Sequence, residues 1–576
     1  MEGVPASFRG AHVPLTGGEA QSLPSPSGLF GGDPVYLSGS RRLQAVCLWP
    51  FGRPSSSSSS SSMMAAFPRP RPGRGCRFLL LLLLLAFLME MEMGKAPAWV
   101  AAGDAAPPPG KIAVVGAGIG GSSVAHFLQQ HFGPQVQIDV YEKGTVGGRL
   151  STINVNKQQY ESGGASIHSL NLHMQDFVKL LGLKHRREVA GKSAIFNGEQ
   201  FVLEETDWYL LNLFRLWWHY GMSFLRLQMW VEEVMEKFMR IYEYQAHGYA
   251  FSRLEVLMHS LGGDTFVNMT QRSVAESLLE VGVTQRFIDD VIVAILRASY
   301  GQSVLVPAFA GAMSLAGAQG NMWAVEGGNK LVCSGLLKLT KANVIQATVT
   351  AISLHNSEGK TFYQVHYEDE EGQGSSFYDI VVIATQLHDS KNNISFQNFD
   401  PPIAEFPGIF HTTVTSIIHG YLNSSYFGFP DPKLFPFASI LTTDTPTLFF
   451  NSMDNICPVN ISGTFRRKQP QEAAVWRVHS QRPLEKPELK ILFRSYYSVQ
   501  VTEWQAYPDY ESAKTLPSII LHDNLYYLNS VEWAAGSVEM AAVAAKNVAL
   551  LAYNYWYHDL EKIDQKDLMH KVKTEL

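Results

Sequence analysis

Cysteine is scarce in this chain, with four among 576 residues. That excludes a scaffold held by disulfides, and no cysteines or histidines stand at the spacing of a metal site. Charge is sparse as well: Asp, Glu, Lys and Arg make up 17% of the residues, and the formal net charge is −6. Such a balance leaves no basic surface, and nucleic acid is excluded as a partner. Long hydrophobic runs are also missing, since the stretch from Phe78 to Leu88 falls short of the roughly 20 apolar residues that cross a bilayer. Core material is plentiful, at 46% hydrophobic residues, enough for a large globule of two or three domains.

Residues 1–62 are rich in Gly, Pro and Ser and end in a serine tract, Ser55 to Ser62. Such a segment builds no core and reads as disordered or as lying upstream of the true start. Met63-Met64, the basic residues Arg69, Arg71, Arg74 and Arg77, and then the short apolar run have the order of a secretory signal peptide, spanning 63–106. If the upstream segment is translated, the same run acts as a signal anchor. A secreted or lysosomal protein follows, and four sequons, at Asn268, Asn393, Asn423 and Asn460, are its expected glycosylation sites. Cys333 and Cys457 then remain, as one disulfide or as two thiols; the apolar helical pattern around Cys333 favours a buried thiol. The chain closes with a polar tail, 558–576, whose final KTEL reads as an ER-retrieval address or simply as polar helix.

The stretch that organises the rest is Lys111 to Arg149. Ile112 to Val115 is an apolar run of the length of one buried parallel strand, and Gly116-Ala117-Gly118-Ile119-Gly120-Gly121 follows before helical spacing begins. Strand, glycines and helix in that order suit a dinucleotide. Gly116 permits the turn, Gly118 lets the backbone approach the pyrophosphate, Gly121 lets helix and strand pack closely, and the helix N-terminus offers free N–H groups. A second strand, with Val136, Ile138 and Val140, ends on Glu142, whose carboxylate suits two ribose hydroxyls, with Lys143 beside it. Gly147-Gly148-Arg149 then adds backbone donors and a cation. This resembles the FAD-binding signature of the amine oxidase and phytoene desaturase class.

Further on, Gly163-Gly164 forms a close-approach turn, and the next helix carries Leu172, Phe177, Leu180 and Leu181 inward. His168 and His173 lie where a polar group could reach flavin or substrate, against the simpler reading of hydrogen-bonded structural histidines. Asn197-Gly198 signals a hairpin. From Asp207 to Tyr242, tryptophan, phenylalanine and methionine recur at helical spacing, with Arg215, His219, Arg226 and Glu232 between them. Those charges exclude a span, leaving ordinary core, a wall for a long apolar ligand, or a face in peripheral contact with a membrane. Asn343 to Ser353, around Val349, reads as a strand against an adenine, and Phe377 to Thr385 as a central parallel strand beside a cofactor. Pro401 to Pro517 is β-rich. Ser537-Val538-Glu539-Met540 opens a long Ala-rich helix, and in the matching flavin motif Glu539 and Met540 meet the ring.

With WAVEGGNKLVCSGLL, YGQS and SIILHDNLYYLNSVEW added to these motifs, the chain from Lys111 onward resembles the prenylcysteine oxidase family. The resemblance implies an α/β fold, with a Rossmann-type FAD-binding domain from 111–192, 322–390 and 517–557 interleaved with an α+β substrate domain from 193–321 and 391–516. It implies an FAD-dependent oxidase that uses molecular oxygen to cleave farnesyl- or geranylgeranylcysteine to cysteine, a prenyl aldehyde and hydrogen peroxide. A non-catalytic escort of prenylated ligands and a flavin oxidase of another substrate are the alternatives. The implied cofactor residues are Gly116, Gly118, Gly121, Glu142, Lys143, Gly147, Gly148, Arg149, Gly164, Val349, Thr385, Glu539 and Met540.

Overall fold

Lys111–Val115 is buried from Ile112 onward on both faces, as its unbroken apolar sequence requires, and it lies inside a six-stranded sheet of the computed structural model. The structure describes residues 107–571, save 319, 358, 388–393, 405–407, 513–515 and 569. The low-complexity stretch, the signal region, the final KTEL and Asn393 thus lie outside the described residues. The sheet order is Ile520–His522, Leu525–Tyr527, Ile380–Ile383, Lys111–Val115, Gln137–Glu142, Asn343–Gln346, parallel throughout except for the edge pair Ile520–His522 and Leu525–Tyr527. The Ile119–Phe132 helix follows the glycine turn and packs against Lys330–Thr340 and Val538–Trp556. Three distant pieces of chain therefore build one nucleotide-type layer.

Two expected strands are each divided. FYDIVVIAT breaks at Asp379, whose carboxylate takes the Gly110 and Lys111 N–H groups at 2.8 and 3.0 Å. Phe377 and Tyr378 end the Gly372–Tyr378 strand of a separate four-stranded sheet, and only Ile380–Ile383 enters the parallel sheet. Asn343 to Ser353 divides likewise: Asn343–Gln346 edges the parallel sheet, while Thr348–Ser357, with Val349, joins the second one. Ser395–Gln397 also pairs with Thr348–Ser357, so this sheet draws on chain from both sides of the expected boundary at 390.

The β-rich region forms most of a seven-stranded sheet, ordered Phe493–Pro508, Phe410–Leu422, Ala474–Ser480, Ser452–Asn455, Phe437–Thr442, Lys192–Phe196, Phe201–Glu204. Its last two strands are the expected hairpin, where the Asn197 side chain takes the Glu199 and Gln200 N–H groups. From Tyr209 to Ala318 the chain is mostly helical. In the Leu172–Leu180 helix the buried side is Met174, Phe177 and Val178, while Leu180 faces solvent, one helical step out of that i, i+3, i+4 stripe. The tail beyond 558 docks rather than trails: Ile563 is buried, and Asp564 accepts the Ser252 N–H at 2.8 Å.

Candidate dinucleotide site

The glycine turn sits at the carboxyl ends of the central strands, the usual place for a ligand in an open parallel sheet. Gly116 has φ +106°, and a Cβ there would lie 2.8 Å from the Ala384 carbonyl oxygen. Gly121 is tighter: its Cβ would stand 1.8 Å from the Gly116 oxygen, so only glycine lets the helix start against the strand. Gly118 is the contrasting case. With φ −72° it suffers no backbone strain, and a Cβ would meet nothing closer than the Gly147 oxygen at 3.9 Å. That open side adjoins the Ile119–Phe132 N-terminus, which carries no side-chain cap and no acidic residue in its first turn. Its N–H groups and the positive dipole end are thus presented to an anion.

The second glycine loop closes on the first. Gly147 donates to the Ala117 carbonyl at 3.0 Å and bridges Gly118. Glu142, at the end of its strand, accepts the Ala117 N–H and the Gly144 N–H, each at 2.8 Å. Two backbone donors hold its carboxylate beside the turn, and a carboxylate keeps further lone pairs for ribose hydroxyls. Lys143 is exposed in the same turn, and Thr385 lies just past Ile380–Ile383 at the same end of the sheet. Gly116, Gly118, Gly121, Glu142, Gly147, Gly148 and Thr385 are thus brought together.

Other expected site residues have side-chain partners within the protein. Arg149 turns its guanidinium to Glu532 in a bidentate pair and donates to the Ala506 carbonyl at 2.6 Å, so a half-buried cation is matched by a buried carboxylate. The Glu539 carboxylate is engaged within the protein. Its oxygens accept the N–H groups of His173 at 2.7 Å and Met174 at 3.1 Å and the Tyr242 hydroxyl at 2.8 Å, capping the Leu172–Leu180 helix. Burial raises this carboxyl to about 7 against those hydrogen bonds. The Met540 N–H is taken by Ser537 Oγ at 3.0 Å, and its side chain is core. Val349 is buried in the four-stranded sheet's own core.

Both histidines have partners within the protein. His173 Nε2 lies 3.0 Å from Gln245 Oε1, its ring packs on Phe127, Phe177 and Tyr242, and burial lowers it to about 4. His168 Nδ1 accepts the Leu170 N–H at 3.2 Å, and burial lowers its pKa too. Gly164 packs against Leu150 and Val538, and its N–H reaches the Arg149 carbonyl at 3.0 Å. Asn329, fully buried, was missed in the sequence: its N–H goes to Glu161 Oε1 at 2.8 Å and its amide to the Gly164 carbonyl at 2.9 Å, locking this loop. The GGN turn of WAVEGGNKL held the signal. Beside the loop opens a cavity of about 870 Å³, lined by Glu161, Ser166, Arg186, Trp323, Cys457 and Arg477 among others. Cys333 and Cys457 are free thiols, and burial pushes Cys333 up to about 12. Among the described residues no cluster of His, Cys, Asp and Glu is fit to hold a metal ion.

Known proteins place this geometry. A prenylcysteine lyase family model matches residues 203–565, and an NAD(P)-binding Rossmann-like domain model matches 114–181. Human prenylcysteine oxidase 1-like is 77% identical over 478 residues, covering 83% of this chain and 96% of that protein. Human prenylcysteine oxidase 1 is 46% identical over 479 residues, covering 81% and 94%. Among solved structures, a putrescine oxidase bound to putrescine matches with a TM-score of 0.51 at 12% identity, over 76% of this chain and 98% of that one, which is a likeness of fold. Matched over more than half its length, and identical at nearly half or more of the positions aligned with each relative, this chain belongs to the prenylcysteine lyase family.

Proposed function

We propose that the protein is an FAD-dependent oxidase that cleaves the thioether of farnesyl- or geranylgeranylcysteine. The carrying observation is the uncapped Ile119–Phe132 N-terminus behind an open Gly118, with the Glu142 carboxylate and the Gly147-Gly148 loop beside it. These residues fit FAD: the helix end and glycine backbone for the pyrophosphate, Glu142 for the ribose. When bound, FAD supplies a two-electron acceptor for the carbon next to sulfur and passes the pair to oxygen. The balance is thioether, O2 and water to cysteine, prenyl aldehyde and hydrogen peroxide. The chain's own part is positional. Glu532 and the Ala506 carbonyl fix Arg149, Asn329 pins the Gly164 loop, and Glu539 ties the Leu172–Leu180 helix to the last helix. With His173 held in a packed, neutral state, the reading assigns it no proton-transfer step.

A secretory route, lysosomal or secreted, is part of the same reading. It is supported by the basic-then-apolar order before residue 106 and by sequon residues Asn268 and Asn460, both exposed. The test is the full chain from a secretory host: its absorbance near 450 nm, then peroxide and aldehyde with farnesylcysteine against putrescine. A flavin spectrum with peroxide from farnesylcysteine is expected. Colourless folded protein that takes up no FAD would leave a carrier of prenylated ligands, and peroxide from the amine alone would make it another oxidase.

A further inference from the structure

We propose that the Tyr209–Tyr220 helix is a docking element that lies in the interface of an anionic membrane. Its protein-facing stripe buries Asn212, Leu216 and Tyr220 at i, i+4 and i+8, with Leu213 partly packed beside them. The opposite side carries Leu210, Leu211, Phe214, Trp217 and Trp218, a sector of about 120° at 100° per residue. That sector is open. Leu210 is 76% exposed, Trp218 70%, Phe214 54% and Trp217 50%, and Trp208 and Met222 extend it at either end. Apolar side chains this size, side by side on one helix, are not the scattered exposed hydrophobics of an ordinary surface.

The charges choose the occupant. From Trp208 to Val231 the chain has no acidic residue but has Arg215, His219 and Arg226. Arg215 and His219 fall on the helix between the buried stripe and the apolar sector, where a side chain reaches headgroup phosphates as the rings enter the acyl boundary. Of the acids on either side of the helix, Asp207 pairs with Lys192 at 2.7 Å, Glu233 with Lys237 at 2.6 Å, and Asp290 takes the Tyr220 hydroxyl at 3.1 Å beside Arg286. Tryptophan, with an apolar body and one N–H, suits that depth. Among the described residues no helix is long and apolar enough to cross a membrane, so the contact is with one leaflet. Docking would set the enzyme where prenylcysteines partition; that consequence rests on the proposed function, whereas the docking does not.

The test uses the full chain, wild type and Trp217→Asp/Trp218→Asp, on phosphatidylcholine vesicles with about 30% phosphatidylserine. Wild type should co-sediment, with tryptophan quenched by brominated lipid, and the double variant should bind about tenfold more weakly or worse. Its melting curve should match wild type, since the changed side chains are exposed. Arg215→Glu should weaken binding to the anionic vesicles and leave binding to pure phosphatidylcholine unchanged. Equal binding by wild type and double variant overturns the proposal, as does a wild type that ignores vesicles. A lipid-free dimer that the double variant dissociates, without a difference on vesicles, overturns it in favour of a second copy of the chain.

Discussion

Gly118 and Gly121 stand three residues apart in one turn, yet substitution should separate ligand from fold. In Gly118→Val the new Cβ finds only ordinary contact distance, with Gly147 at 3.9 Å and Gly148 at 4.0 Å, and φ is already negative. The empty-protein melting temperature should therefore hold to within the effect of about 1 kcal/mol. On the proposed reading, the space filled is the one the pyrophosphate would take. Displacing it by a methyl's width removes at least two charge-assisted hydrogen bonds from the helix end, about 1.5–3 kcal/mol each, so flavin affinity should fall by about 10² to 10⁴. In Gly121→Ala the Cβ would collide with the Gly116 oxygen at 1.8 Å, so strand and helix must part. That variant should lose several kcal/mol of stability whether or not flavin is present. The assay is the ratio of absorbance near 450 nm to that at 280 nm, with thermal melting at zero and saturating FAD. A Gly118→Val protein that purifies with full flavin would falsify the assignment of that open face to the pyrophosphate.

Four further outcomes follow from the same contacts. His126, His131 and His173 are held at about 4 by burial and His479 is lowered as well, so their stabilising share is complete above pH 6.5 and is lost as pH falls towards 4, at most about 3 kcal/mol each. Glu205 and Glu539, raised to about 7 by burial, act oppositely, favouring the fold below about pH 4.5 and losing that share as pH rises through 7. His168, His411 and His419 are lowered by burial too, and Glu161 and Asp176 raised, so seven histidines stand against four carboxyls; the melting temperature should drop between pH 6.5 and 4.5, and a flat or rising profile would contradict the burial of these rings. Glu539→Ala should cost about 2–4 kcal/mol in denaturant unfolding, since it uncaps the Leu172–Leu180 helix and orphans the Tyr242 hydroxyl; a loss below about 0.5 would show that the cap is not formed. Arg149→Met should cost about 1–3 kcal/mol by leaving the buried Glu532 with the Asn529 amide but no cation, and adding Glu532→Gln should recover part of it; no recovery would refute the pairing. In a secretory host Asn268→Gln and Asn460→Gln should each remove one glycosidase-sensitive mobility step, and unchanged mobility would argue against the secretory route.

The nucleotide layer was readable because its signal is local. An apolar run, glycines at fixed offsets, helical spacing and a strand ending on an acid fall within about 40 residues, and each glycine's task follows from sterics at its own backbone. The division of FYDIVVIAT was not readable, since hydrophobicity runs unbroken through a position where Asp379 meets Gly110 and Lys111 from 268 residues upstream or more. The same limit governs the site. That Arg149 pairs with Glu532, 383 residues away, and that Glu539 reaches the His173 N–H across 366 are contacts no local pattern announces.

Local order thus determined by itself that a strand, a glycine turn and an uncapped helix would form a dinucleotide cradle, since bond geometry and burial on both faces admit few other outcomes for those residues. Only the tertiary structure decided which charges stay available to a ligand and which apolar faces are covered. Periodicity marks a side of the Tyr209–Tyr220 helix as apolar, but whether another element packs there depends on chain that is distant in sequence. The Coulomb partner of a buried carboxylate is likewise chosen by the fold.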